Sequence, residues 1–177
     1  MATEFEILDG MPAHGPYPEQ FSATGRGTHR EGLVLRVRPP HAEAWVGNFQ
    51  RGLTSYDVVH LHPNSRDLVV VAGGEGYIVE PSSRRLIATF GGQICWSRSF
   101  VEHRLLLFHN GLWFDAHGSS GPLWQTRRLS FDGIRVRSIE WPWLRGEAWT
   151  FDGDRWEPFA VDLRSGEASG GTYCFPE

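Results

Sequence analysis

The chain reads as all-β, built from short antiparallel hairpins with little or no helix, and three observations predict it. Breakers are dense: 21 Gly and 11 Pro among 177 residues leave few uninterrupted windows of the dozen or so residues a helix needs. Short apolar runs recur at roughly the 8–12-residue spacing of antiparallel sandwiches, barrels and propellers, not of alternating βαβ units. Aromatic residues make up 13% of the chain, with 8 Trp and 11 Phe. Large flat side chains suit the half-buried face of a pleated sheet.

Taken in order, residues 1–31 form an irregular arm lying over the sheets. Segments 11–18 and 25–32 are rich in Gly, Pro, His and Thr, and one edge strand is expected at 5–8. A strand at 33–37 ends at the breaker Pro39-Pro40. Short runs at 58–61, 68–71, 76–79 and 86–89 follow between turn residues. The longest breaker-free window, 93–110, carries Ile94, Val101, Leu105 and Phe108 at spacings that also fit a helical face. The polar patch Ser97-Arg98-Ser99 splits it into two β-rich runs instead, the second at 105–108. Further strands are expected at 112–114, 127–130, 134–139, 146–150 and 158–161. Asp132-Gly133 and Asp152-Gly153 are two-residue hairpin signals, because Gly relieves the positive φ of a primed turn. Gly73, Gly74 and Gly76 follow a strand with no helix behind them, so they read as a tight turn or bulge and not as a phosphate cradle.

A weak repeat runs through Ile78-Val79-Glu80-Pro81-Ser82-Ser83, Trp113-Phe114-Asp115-Ala116-His117-Gly118 and Ala160-Val161-Asp162-Leu163-Arg164-Ser165-Gly166: apolar residues, an acid, then small polar residues. An acid ending a strand accepts hydrogen bonds from turn amides two residues on, so Glu80, Asp115 and Asp162 are assigned to turn stabilisation. The stretches GYIVEPSSRRLIATFGG and FAVDLRSGEASGG resemble blade hairpins of WD-repeat and quinoprotein-type propellers. The segment from Trp124 to Glu167 is also similar to the C-terminal half of a group of small uncharacterised bacterial proteins. The resemblance implies a propeller-like fold and no activity. The repeats are unequally spaced and no Gly-His to Trp-Asp pair frames them, so an open or sandwich-like arrangement of the same hairpins stands beside a closed propeller.

Length favours one domain spanning 1–177 with a core of its own. A net charge of -4 and a pI near 6.1 offer no field that would draw nucleic acid or anionic lipid. All 17 basic residues are Arg, which removes Schiff-base and phosphate-loop lysine chemistry. Cys95 and Cys174 are expected as buried or half-buried free thiols in a reducing cytoplasm, and no apolar run is long enough for a membrane-spanning helix.

The sharpest chemical signal is His60-Leu61-His62 with Asp67 downstream. Histidines at i and i+2 of a strand share a face and can share a metal. The run resembles the first cupin motif, with Asp67 where that family has Glu and without the second motif; Asp67 or His109 is the candidate completing ligand. The opposing reading places Val59 and Leu61 on the core and both histidines in water. Trp141-Pro142-Trp143 is the aromatic candidate: Pro breaks a ladder and suggests a protruding loop, which makes Trp141 and Trp143 candidates for ligand or partner contact. Arg84-Arg85 and Arg127-Arg128 read as solvated surface. No G-x-S-x-G marks a nucleophile. Two functions follow. The preferred one is a non-enzymatic binding or protein-interaction domain without a cofactor, anchored by Arg and Trp. The alternative is a metal-dependent, cupin-like enzyme using His60 and His62 with a divalent cation.

Overall fold

A computed structural model describes residues 3–15, 17–25 and 30–173. It is all-β: among the described residues four four-stranded sheets are joined by turns, and the one helical element is a 3-10 turn at Val101–His103. The first sheet comprises β1 (Glu4–Leu8), β2 (Glu19–Phe21), β3 (Leu33–Arg38) and β4 (Trp45–Phe49) in the order β1-β3-β4-β2, with β2 parallel to β4. The other three are antiparallel meanders in chain order. They are β5 (Val58–Leu61), β6 (Leu68–Ala72), β7 (Glu75–Glu80) and β8 (Arg85–Gly91); then β9 (Trp96–Phe100), β10 (Leu105–His109), β11 (Phe114–Gly118) and β12 (Gly121–Gln125); then β13 (Ile134–Glu140), β14 (Trp143–Thr150), β15 (Arg155–Asp162) and β16 (Ala168–Gly170).

The side-chain period of two explains how the sheets pack. On β6, Leu68, Val70 and Ala72 join Leu35, Val37 and Phe49 of the first sheet in one apolar cluster. Val69 and Val71 point the other way, to Leu106 and Phe108 of β10. Leu105 and Leu107 of β10 face the fourth sheet's Leu144, Ala148 and Phe159. The inner strands β6 and β10 are therefore buried on both faces, and they read as near-continuous apolar runs, LVVVA and LLLFH. The end sheets carry polar outer faces: Glu6 bridges Arg36 and Arg38 on the first, and Arg137 bridges Glu147 on the fourth.

Several expectations need correction. The first 31 residues are not merely an irregular arm, since β1 and β2 are the two edges of the first sheet. Asn48, fully buried on β4, ties this region down: its amide donates to Gln20 Oε1 at 2.9 Å and its oxygen accepts from Gly32 N–H at 2.8 Å. Ser97-Arg98-Ser99 lies inside β9, and the break falls instead at 101–104, where Arg104 adopts φ 52°. Segment 127–130 is not a strand. Asp132-Gly133 is accordingly not a two-residue hairpin, and Asp152-Gly153 sits within a four-residue turn because Thr150 pairs with Arg155. The primed turn is Gly73-Gly74, with φ of 53° and 83°, between the partners Ala72 and Glu75.

Arg127 and Arg128 are structural rather than merely solvated. Arg127 donates to the carbonyls of Gly170 and Tyr173, and Arg128 donates to those of Ser130 and Phe131 while covering the Tyr173 ring at 4.3 Å. Cys95 is a free, exposed thiol just before β9, not a buried one. Cys174 lies outside the described residues.

Candidate functional site

The outer face of the fourth sheet is covered by no other sheet among the described residues, and alternation writes its composition. Trp143, Arg145, Glu147 and Trp149 project from β14 on the side opposite Leu144 and Ala148. Their cross-strand partners include Arg135 on β13 and Trp156, Pro158 and Ala160 on β15. Most of the polar groups are committed locally. The Arg135 guanidinium lies 3.7 Å from the centre of the Trp156 ring, Arg137 donates twice to Glu147, and Trp149 Nε1–H donates to Asp154 at 2.8 Å. Arg145 is exposed and has no ion pair or hydrogen bond among the described residues, and it stands two residues from Trp143, itself 39% exposed. Trp141 and Pro142 form the two-residue tip of the β13–β14 hairpin, a turn with a cis Trp141-Pro142 bond. Trp141 stacks on His103 with ring centres 3.6 Å apart and planes 7° from parallel, joining the hairpin tip to the third sheet's 3-10 turn. Trp141 is thus held against its own chain, while Trp143 stays exposed.

His60 and His62 fall on the face of the second sheet that meets the third. Val58 packs into the second–third cluster and Val59 into the first–second cluster, so the even positions face the third sheet. They do not stand in water. His60 Nε2 bonds Ser97 Oγ of β9 at 2.9 Å, and His62 is 3% exposed, with Nδ1 accepting the Asn64 N–H at 3.2 Å. Burial lowers the pKa of both rings; the Ser97 contact opposes the shift at His60, and Asn64 and Asp67 oppose it at His62. Asp67 accepts from Asn64 Nδ2 at 2.6 Å, while its carbonyl accepts the His62 N–H at 2.8 Å. It closes the β5–β6 turn. His109 does not join this group. The period of two along β10 puts it with Leu105 and Leu107 on the opposite face of the third sheet, stacked on Trp96 with ring centres 5.7 Å apart, and burial lowers its pKa to about 4. Among the described residues no group of three or more His, Cys, Asp or Glu side chains is placed to hold a metal ion.

The histidine that does approach His62 is His117. Its ring packs on Phe90 and Phe108, and its pKa is lowered by burial and then by His62. Of the three acids assigned to turns, Glu80 accepts the amides of Ser82 and Ser83 at 3.1 and 2.9 Å, and Asp162 accepts that of Arg164 at 2.9 Å. Asp115 departs from this pattern. It lies within β11 and accepts from Trp113 Nε1 and Gln125 Nε2 at the rim of a cleft between the second and third sheets. The visible signal for this pair was Asp115-Ala116-His117, two polar residues flanking a core alanine at strand spacing.

No family profile and no curated protein matches the chain. Among solved structures it is similar to one described as the crystal structure of the eukaryotic initiation factor, at 9% identity and a TM-score of 0.46, over 80% of this chain and 40% of that one.

Proposed function

We propose that the chain is a non-enzymatic protein-interaction domain, its sheets acting as propeller-like blades in an open arc, with the outer face of the fourth sheet as its docking surface. One observation carries the reading: a sheet face that no other sheet covers among the described residues presents Trp143 beside Arg145, which has no partner among them. Trp and Arg are the residues that most often anchor interfaces, because each offers a large contact area with a polar group that a partner can satisfy. Arg137 is neutralised by Glu147 and Arg135 is laid on Trp156, so Arg145 is the charge left for a partner's carboxylate. Stacking of Trp141 on His103 fixes the hairpin from which Trp143 projects, and a rigid anchor loses less conformational entropy on binding.

The test places a photo-reactive side chain at position 160, the cross-strand neighbour of Arg145, in one variant and at position 36, on the first sheet's outer face, in another. A discrete protein adduct from 160, absent from 36 and lost on Trp143→Ala or Arg145→Ala, is the expected result. No adduct, or the same adducts from both positions, overturns the reading.

A further inference from the structure

The second and third sheets part at their outer strands, leaving a cleft of about 420 Å³ bordered by Phe90, Asn110, Trp113, Asp115, His117 and Gln125. Its polar groups are held in place before any ligand arrives. Asp115 Oδ2 accepts the Trp113 indole N–H at 3.0 Å and Oδ1 accepts from Gln125 Nε2 at 2.7 Å. Each carboxylate oxygen keeps a lone pair, and the indole is pinned by its edge. Asn110 Oδ1 is occupied by the amides of Leu112 and Trp113 at 3.0 and 3.3 Å, which leaves its NH₂ group to donate.

His117 borders the cleft from β11, its ring packed on Phe90 and Phe108. Its Nδ1 is buried without a hydrogen-bond partner among the described residues.

The cleft therefore offers acceptors at Asp115 and Gln125, a donor at Asn110, and the flat rings of Trp113 and Phe90. Among the described residues no Arg borders it, so none compensates a phosphate or carboxylate, and Asp115 repels one. A hydroxyl both donates and accepts, and a saturated ring presents a C–H face to an indole. We propose that this cleft binds a neutral polyhydroxylated ring, a pyranose or a cyclic polyol.

The test titrates the full chain with glucose, galactose, mannose and myo-inositol, following the Trp113 indole and Gln125 carboxamide N–H signals by NMR. Glucose 6-phosphate and guanosine serve as contrasts. The expected result is a saturable shift with at least one neutral ring, weakened about tenfold or more by Asp115→Ala and by Gln125→Ala, and unchanged by Trp143→Ala, which reports only on the fourth-sheet face. Gln125 is exposed, so its variant separates lost binding from lost folding. No saturable shift with any neutral ring, preference for the phosphate or the nucleoside, or undiminished affinity in both cleft variants overturns the proposal.

Discussion

Burial lowers the pKa of His60, His62, His109 and His117, and so these four side chains tie stability to pH. Each folded value lies below the ordinary 6.5, that of His109 at about 4. Between those values the unfolded chain binds more protons than the folded one, so this contribution is complete above 6.5 and is lost as pH falls toward 4. Asp162 acts lower on the scale: hydrogen bonds from Arg164 hold its pKa at about 2, below the ordinary 3.8, and its contribution fades only beneath 3.8. Thermal melts are therefore expected to show a falling Tm from pH 7 to pH 5, with a shallower slope in His109→Gln even though that variant starts lower. A Tm that does not change over this range would contradict the burial of these rings. At this scale the sequence was readable where chemistry is local. Glu80 and Asp162 bond amides within three residues, whereas Asp115 depends on Gln125 of another strand, and the His62–His117 approach depends on how two sheets stack.

At the scale of the element, glycines opposite aromatic rings shape the strands. Gly76 on β7 pairs with Phe90 on β8, and a Cβ at Gly76 would stand 2.4 Å from the ring. Gly146 on β14 pairs with Phe159 in the same manner, with a ring atom at 2.5 Å. The ring lies down over the bare backbone, and Phe90 from that position contacts Phe108 and His117 and borders the cleft. Gly76→Ala is expected to destabilise by about 1–3 kcal/mol, as overpacking does, and to shift Phe90 toward the cleft. Gly76→Ala with Phe90→Leu should recover part of the loss, as denaturant melts would reveal; a double variant less stable than either single one would remove the ring contact as the cause.

Most strands were legible because apolar runs and turn residues punctuate them: 58–61 coincides with β5, and the other apolar runs of the second sheet fall inside its strands. Others were not. The three-residue β2 is formed by pairing with a distant strand, β4 is interrupted by Gly47 and the buried Asn48, and β12 opens on Gly121-Pro122. In β9, Ser97 and Ser99 look like a loop in sequence, yet they turn inward to bond His60 and the Leu61 carbonyl at 2.9 and 2.7 Å. Inward polar residues at a sheet edge break the alternation that marks a strand.

Across the whole molecule, three apolar clusters join four sheets in sequence, and the third sheet belongs to two of them. Each sheet touches its neighbours in the series, an arrangement in which stability approximates a sum of nearest-neighbour interfaces. Adjacent residues of β10 isolate two of those interfaces, since Leu106 and Leu107 are both fully buried but face the second and fourth sheets respectively. Truncation of either to Ala should cost about 2–5 kcal/mol through lost burial and the cavity left behind. The two losses should differ in place. Hydrogen exchange in Leu106→Ala is expected to quicken most across β6 and β7, where Val69, Val71 and Ile78 lose their contact. In Leu107→Ala it should quicken most across β14 and β15, where Leu144 and Phe159 do. Identical exchange maps for the two variants would mean that the four sheets open as one cooperative unit. In that event a ligand bound in the cleft would stabilise the fourth sheet as strongly as the second, and the fourth sheet's outer face and the cleft would be coupled through the fold. Separate maps would make that face and the cleft energetically independent.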